Sequence, residues 1–106
     1  MLDFMLIRDD GQELYSSNIT HNLARMAEEA GIYTCLWAPD ENSFTTAGQI
    51  IEPLASGVCL LATNRARFEL FNADNGYGRW QDLLCFCAEC LQACKDHPHA
   101  TICVSR

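Results

Sequence analysis

Four cysteines crowd into ten residues of this chain: Cys85, Cys87, Cys90 and Cys94. Zinc and iron–sulfur centres are built from thiolates at such short spacings. The surrounding segment, however, has helical periodicity. On a helical wheel Trp80, Leu83, Leu84, Cys87, Cys90, Leu91 and Cys94 share one face, and Cys85 points away from it. Free cysteine is among the most buried residue types and packs like a small hydrophobe, so Cys87, Cys90 and Cys94 read as core. A metal held by these three would need a fourth ligand from Cys35, Cys59, Cys103, His97 or His99. Zinc CxxC pairs also sit in turns rather than mid-helix. No metal or other cofactor is expected. Were a thiol to act as a nucleophile or redox group, the outward Cys85 would be the candidate, because reactivity needs exposure and a lowered pKa.

A second constellation is polar. Asn18, Ile19, Thr20, His21 and Asn22 open a segment of helical periodicity, and His21 lies about 200° from Ile19 on the wheel. His21 is then either solvated or part of a pocket with Asn18, Thr20 and Asn22. A helix N-terminus there would favour an anion. Two aromatic segments are candidates to join it. One is Leu36, Trp37, Ala38 and Pro39; the other is Asn75, Gly76, Tyr77, Gly78, Arg79 and Trp80. Aromatic loop residues make binding surfaces. The competing assignment is that Trp37 and Trp80 fill the core and the glycines only serve a turn. Gly76 and Gly78 do not form a phosphate-binding loop, and no HExxH or GxSxG motif is present. No catalytic residue is identified, and binding is favoured over enzyme activity.

The elements that must position these residues follow from periodicity and punctuation. Residues 2–7 predict a strand, with Phe4 and Leu6 on one face and Met5 and Ile7 on the other. Asp9, Asp10, Gly11 and Gln12 signal a turn, and residues 13–15 a short returning strand, giving a hairpin. Ser17 or Asn18 is the expected cap of a helix over about 19–30, with Gly31 as its stop. Residues 32–39 look extended and 40–46 look like a loop. Ile50, Ile51, Leu54, Val58 and Leu61 form the stripe of a second helix, expected to begin near 49–52 so that Pro53 falls in its first turn. A short helix over 65–71, a loop over 71–78, a third long helix over about 79–96 ended by Pro98, and a last strand over 100–105 complete the order. The predicted fold is a single α+β domain spanning 1–106. A small antiparallel sheet, made of the N-terminal hairpin plus the C-terminal strand, is packed by three main helices.

Composition narrows the partners. Fourteen acidic residues oppose seven basic ones, a formal net charge of −7. Such a surface repels a phosphate backbone, and the nearest basic grouping, Arg65, Arg67 and Arg79, is thin. Direct nucleic-acid binding is not expected, whereas a protein partner with a basic surface is. The apolar N-terminus lacks a basic flank and reads as no secretory signal. No apolar run approaches the about 18 residues of a spanning helix, so no membrane association is expected. Seven cysteines, an odd number, suit reduced thiols in a cytoplasm better than a disulfide framework.

Several phrases in order along the chain carry a resemblance. They are Tyr15 to Leu23 (YSSNITHNL), Met26 with Ala27, Ala30 to Tyr33, Leu36 to Pro39 (LWAP), Phe71 with Asn72, Asn75 to Gly78 (NGYG) and the closing Val104, Ser105 and Arg106. This pattern resembles a group of small phage- or prophage-encoded accessory proteins of unknown function. The cysteine-dense helix departs from that group. The resemblance implies a phage accessory role in a bacterial host cytoplasm, and by analogy an inhibitor of a host defence system such as an anti-CRISPR. The rival functions are a small-ligand binder or enzyme using residues 18–22, Trp37 and 75–78, and a cysteine metal or redox module.

Overall fold

Strand β1 (Leu2–Ile7) alternates as its sequence predicts: Leu2, Phe4 and Leu6 are buried, and the residues between them are half-exposed. In the computed structural model, which describes residues 1–106, β1 is the centre of a three-stranded antiparallel sheet of order β2-β1-β3. Its partners are β2 (Glu13–Ile19) and β3 (Thr101–Ser105). The last strand pairs with the N-terminal hairpin, Phe4 opposite Val104 and Leu6 opposite Ile102. The architecture is the expected α+β one.

β2 runs four residues beyond its expected end. Ser16, Ser17 and Asn18 are strand, paired with Met5, Phe4 and Asp3, and Ile19 closes the ladder opposite Leu2. These residues favour caps when alone, but a long apolar β1 rewards a full-length partner, and tertiary pairing overrides the local preference. The predicted helix over 19–30 is correspondingly shorter. Thr20, not Ser17 or Asn18, is the cap: its hydroxyl accepts the Asn22 N–H at 3.2 Å. A 3-10 turn (His21–Leu23) leads into α1 (Ala24–Glu29), which stops before Gly31.

Residues 32–39 are not extended. Tyr33–Leu36 form a helical turn, α2, and Tyr33 stacks on Trp37 with ring centroids 5.9 Å apart. Helical spacing brings residues i and i+4 into contact, whereas a strand would hold them about 13 Å apart. A 3-10 turn at Asp40–Asn42 precedes the loop.

α3 (Ala47–Thr63) begins earlier than its proline suggested, and Pro53 lies inside it. The start is fixed from outside. The N–H groups of Ala47 and Gly48 donate to the carbonyls of Ala100 and Pro98, and Gln49 Oε1 accepts from the N–H groups of Thr45 and Thr46. With the first-turn donors satisfied, the helix extends upstream and tolerates a proline beyond its usual position. The predicted stripe is inward, together with Gly57. A Cβ at Gly57 would stand 2.0 Å from Ile32 Cγ2, so only glycine lets α3 approach α2 here.

Helix α5 (Trp80–Asp96) matches expectation, and α4 (Arg65–Glu69) ends two residues short of its expected end, leaving Leu70 and Phe71 outside it. α5 packs along α3 and β2. Its buried face is Leu83, Phe86, Cys87, Cys90, Ala93 and Cys94. Phe86 and Ala93 replace Leu84 and Leu91 at the centre of the predicted face. With the continuous helical stretch from His21 to Glu29, α3 and α5 supply the helical layer. No helix is long and apolar enough to cross a membrane.

Candidate binding site

Trp37 is buried, and its indole N–H donates to Nδ1 of His21 at 3.1 Å. His21 stands on the 3-10 turn that Thr20 caps, so one short capped turn aims an imidazole at the α2 corner. The corner is tied again from the far end of the chain. Arg106 Nη1 donates to the Trp37 carbonyl at 2.6 Å and to Asp40 Oδ1 at 2.9 Å. The guanidinium holds the Asp40 carboxyl below the usual carboxylate range.

The neighbouring residue of that turn faces the opposite way. Asn22 Nδ2 donates to the carbonyl of Tyr77 at 3.0 Å. The loop that Asn22 grips is held from within. Asn75 Oδ1 accepts the Tyr77 N–H, Ala73 N–H donates to the Gly78 carbonyl, and Asn72 Oδ1 accepts the Trp80 N–H at 2.8 Å. Gly78 has φ 126° and lies against Thr20 and Leu23, where a Cβ would come within 3.0 Å of the Leu23 side chain. The loop therefore docks on the His21 turn by a glycine contact and one amide bond.

The structure thus brings together Thr20, Asn22, Asn75, Gly76 and Tyr77, and separately joins His21 to Trp37. Asn18 does not take part. It lies on β2, exposed, on the sheet face away from the helices. Nor do these residues enclose a common cavity, because their polar groups are bonded to one another. Of the candidate residues only Asn22 lines a concavity, one of about 340 Å³ whose rim includes Arg25, Leu70, Phe71 and Asn72. Leu70 on that rim is 84 % exposed, and Tyr77, whose carbonyl takes the Asn22 amide, is 74 % exposed. Leu70 had no distinguishing signal in the sequence, and Asn72 stood out only through the resemblance; the position of each depends on where the 70–80 loop lands.

The cysteines separate into two sets. All seven are free. Cys35, Cys87, Cys90 and Cys94 are buried, and burial pushes the thiols up, Cys35 to about 12 and Cys94 to about 11, with Cys87 and Cys90 also strongly raised. A thiol so raised stays protonated near neutral pH and is a poor nucleophile. Cys35 donates to the Ile32 carbonyl, and Cys90 Sγ lies 3.9 Å from the Tyr15 hydroxyl. No three His, Cys, Asp or Glu side chains are grouped to hold a metal ion. Cys59, Cys85 and Cys103 are exposed.

Comparison with family models, with curated proteins and with solved structures finds no match to this chain.

The surface electrostatics are lopsided. Arg65 pairs with Glu69 at 2.8 Å and also lies over the Trp80 ring, and Arg67 pairs with Glu29, so two of the three arginines of the thin basic grouping are neutralised. A groove of about 370 Å³ between β2 and α5 is bounded by Leu14, Tyr15, Glu89, Gln92, Ala93, Asp96 and His97. Neither of its carboxylates has a basic partner; Asp96 accepts only from Gln92. An adjoining concavity of about 210 Å³ continues past Asp9, His97, His99 and Arg8, the last paired with Asp10.

Proposed function

We propose that this chain is a non-enzymatic accessory protein of phage type that acts by binding a protein partner in a bacterial host cytoplasm, in the manner of an inhibitor of a host defence system such as an anti-CRISPR. The observation that carries the binding reading is exposed Leu70 on the rim of the Asn22 concavity, together with exposed Tyr77 on the loop whose carbonyl Asn22 holds by a hydrogen bond. An aromatic and an aliphatic side chain held in water on an ordered support have the composition of an interface anchor. The net charge of −7 adds attraction to a basic partner. The phage and anti-defence parts of the proposal rest on the sequence resemblance.

The experiment is capture of tagged chain from a bacterial host, with native and denatured masses recorded side by side. A stoichiometric heteromeric complex is expected. Leu70→Asp with Tyr77→Ala should lower its yield by about tenfold or more, the scale of losing an interface anchor. Recovery of the bare chain alone, or a complex indifferent to both substitutions, would overturn the proposal. Loss of plaque protection in defence-bearing cells on expressing the chain tests the inhibitory part.

A further inference from the structure

β2 is an outer strand of the sheet, and the hydrogen-bond pattern fixes which of its main-chain groups face outward. The Ile102 N–H donates to the Thr45 carbonyl, outside the sheet. Main-chain groups alternate sides along an antiparallel strand, so Leu6, opposite Ile102, turns its own N–H and C=O toward β2. Tyr15, opposite Leu6, and Ser17, opposite Phe4, are therefore the ladder-bonded residues of β2. Ser16 and Asn18 then direct both their N–H and C=O groups away from β1, where no other strand lies. The β3 edge differs at its start, where Thr45 and Thr46 cover Thr101 and Ile102.

Free edges are ordinarily guarded by lysine, proline or covering segments. After Glu13, β2 reads Leu14, Tyr15, Ser16, Ser17, Asn18 and Ile19, with neither charge nor proline. The groove bounded by Glu89 and Asp96 runs beside this strand, on the face where Tyr15 lies. A strand laid on the edge would drop alternate side chains toward it.

We propose that the free edge of β2 accepts an extended segment of a partner protein with Lys or Arg at alternate positions, its main chain bonding Ser16 and Asn18 and its basic side chains reaching Glu89 and Asp96. Charge decides the occupant. The groove has an apolar floor in Leu14 and Ala93 and two unpaired carboxylates on its rim, which suits a long aliphatic stem ending in a cation. A second copy of this acidic chain would place β2 and its carboxylates against their like. This inference rests on the protein-binding reading above but assigns a different surface.

The probe is an acetylated, amidated octapeptide of alternating Lys and Val, titrated into nitrogen-15-labelled protein. The amides of Ser16 and Asn18 should shift, and their hydrogen exchange should slow by about tenfold or more at saturation, as for a newly paired strand. Glu89→Gln with Asp96→Asn should weaken binding about tenfold. Ser16→Pro, which removes only an outward donor, should abolish it, and Ser16→Lys should do the same if the proline variant does not fold. An octapeptide that leaves Ser16 and Asn18 unmoved, or binds these variants as it binds the parent, overturns the inference. So does concentration-dependent protection of Ser16 and Asn18 without peptide, which would give the edge to a second copy. If the octapeptide misses β2 while a captured partner still depends on Leu70 and Tyr77, this inference falls and the proposed function stands. If the octapeptide binds as described but no partner is captured, the reverse holds.

Discussion

The indole N–H of Trp37 ends on Nδ1 of His21, sixteen residues earlier in the chain, at 3.1 Å. An exposed imidazole thereby satisfies the one polar atom of the largest buried side chain. Replacing His21 with Phe removes the acceptor and should destabilise the fold by about 1–3 kcal/mol, the range for an orphaned buried donor. Trp37→Phe removes the donor together with packing. The double variant should lose less than the sum of the singles, because neither leaves a partner stranded. Urea unfolding of the four proteins measures this; strictly additive losses would mean that the bond carries no coupling.

Gly57 allows α3 to pass over Ile32. Gly57→Ala forces a Cβ to within 2.0 Å of Ile32 Cγ2 and should cost about 1–3 kcal/mol, although alanine is intrinsically the better helix former. Ile32→Ala removes the obstructing methyl. In that background Gly57→Ala should be nearly neutral. A stabilising Gly57→Ala in the parent would contradict this close approach.

The buried thiols make a pH prediction. Cys35 and Cys94 are raised by burial to about 12 and about 11, whereas an unfolded cysteine titrates near about 8.5. Folding thus favours the protonated thiol. Its contribution is fully present below the unfolded value and is lost as pH rises toward the folded values. Under reducing conditions, stability should be level with respect to these groups below about pH 8 and fall between about pH 8.5 and 11. Cys94→Ala should flatten that slope. Thiol labelling of the native protein should modify Cys59, Cys85 and Cys103 quickly, and Cys35, Cys87, Cys90 and Cys94 only on unfolding. Rapid labelling of Cys90 would contradict its burial.

The Asn22 amide is the tether between the 3-10 turn and the 75–78 loop. Asn22→Ala should destabilise by about 1 kcal/mol, the size of a single net hydrogen bond. Its larger effect should be local. Backbone exchange at Gly76 and Tyr77 should quicken, and limited proteolysis should nick the loop sooner, with α3 and α5 unchanged. Equal loosening of the whole domain would show that the tether is not local.

The sequence by itself determined strand β1, the two long helices, the fold class and the inward placement of Cys87, Cys90 and Cys94. Each of these rests on a pattern of period two or 3.6 in apolar residues, and the hydrophobic effect reads such patterns directly. Cys87, Cys90 and Cys94 are core for the reason their wheel positions gave. Only the tertiary structure decided the polar constellation. Ser16, Ser17 and Asn18 are good caps in isolation, yet the ladder to β1 drew them into β2, moved the cap to Thr20 and left Asn18 on the sheet. Residues 32–39 became a helical turn under Trp37, and α3 moved upstream because Ala100 and Pro98, some fifty residues away, satisfied its first amides. The His21–Trp37 bond, the Asn22 tether and the open edge of β2 all depend on contacts distant in sequence. Local propensities of about 1 kcal/mol or less yield to such pairings, and no periodicity records them.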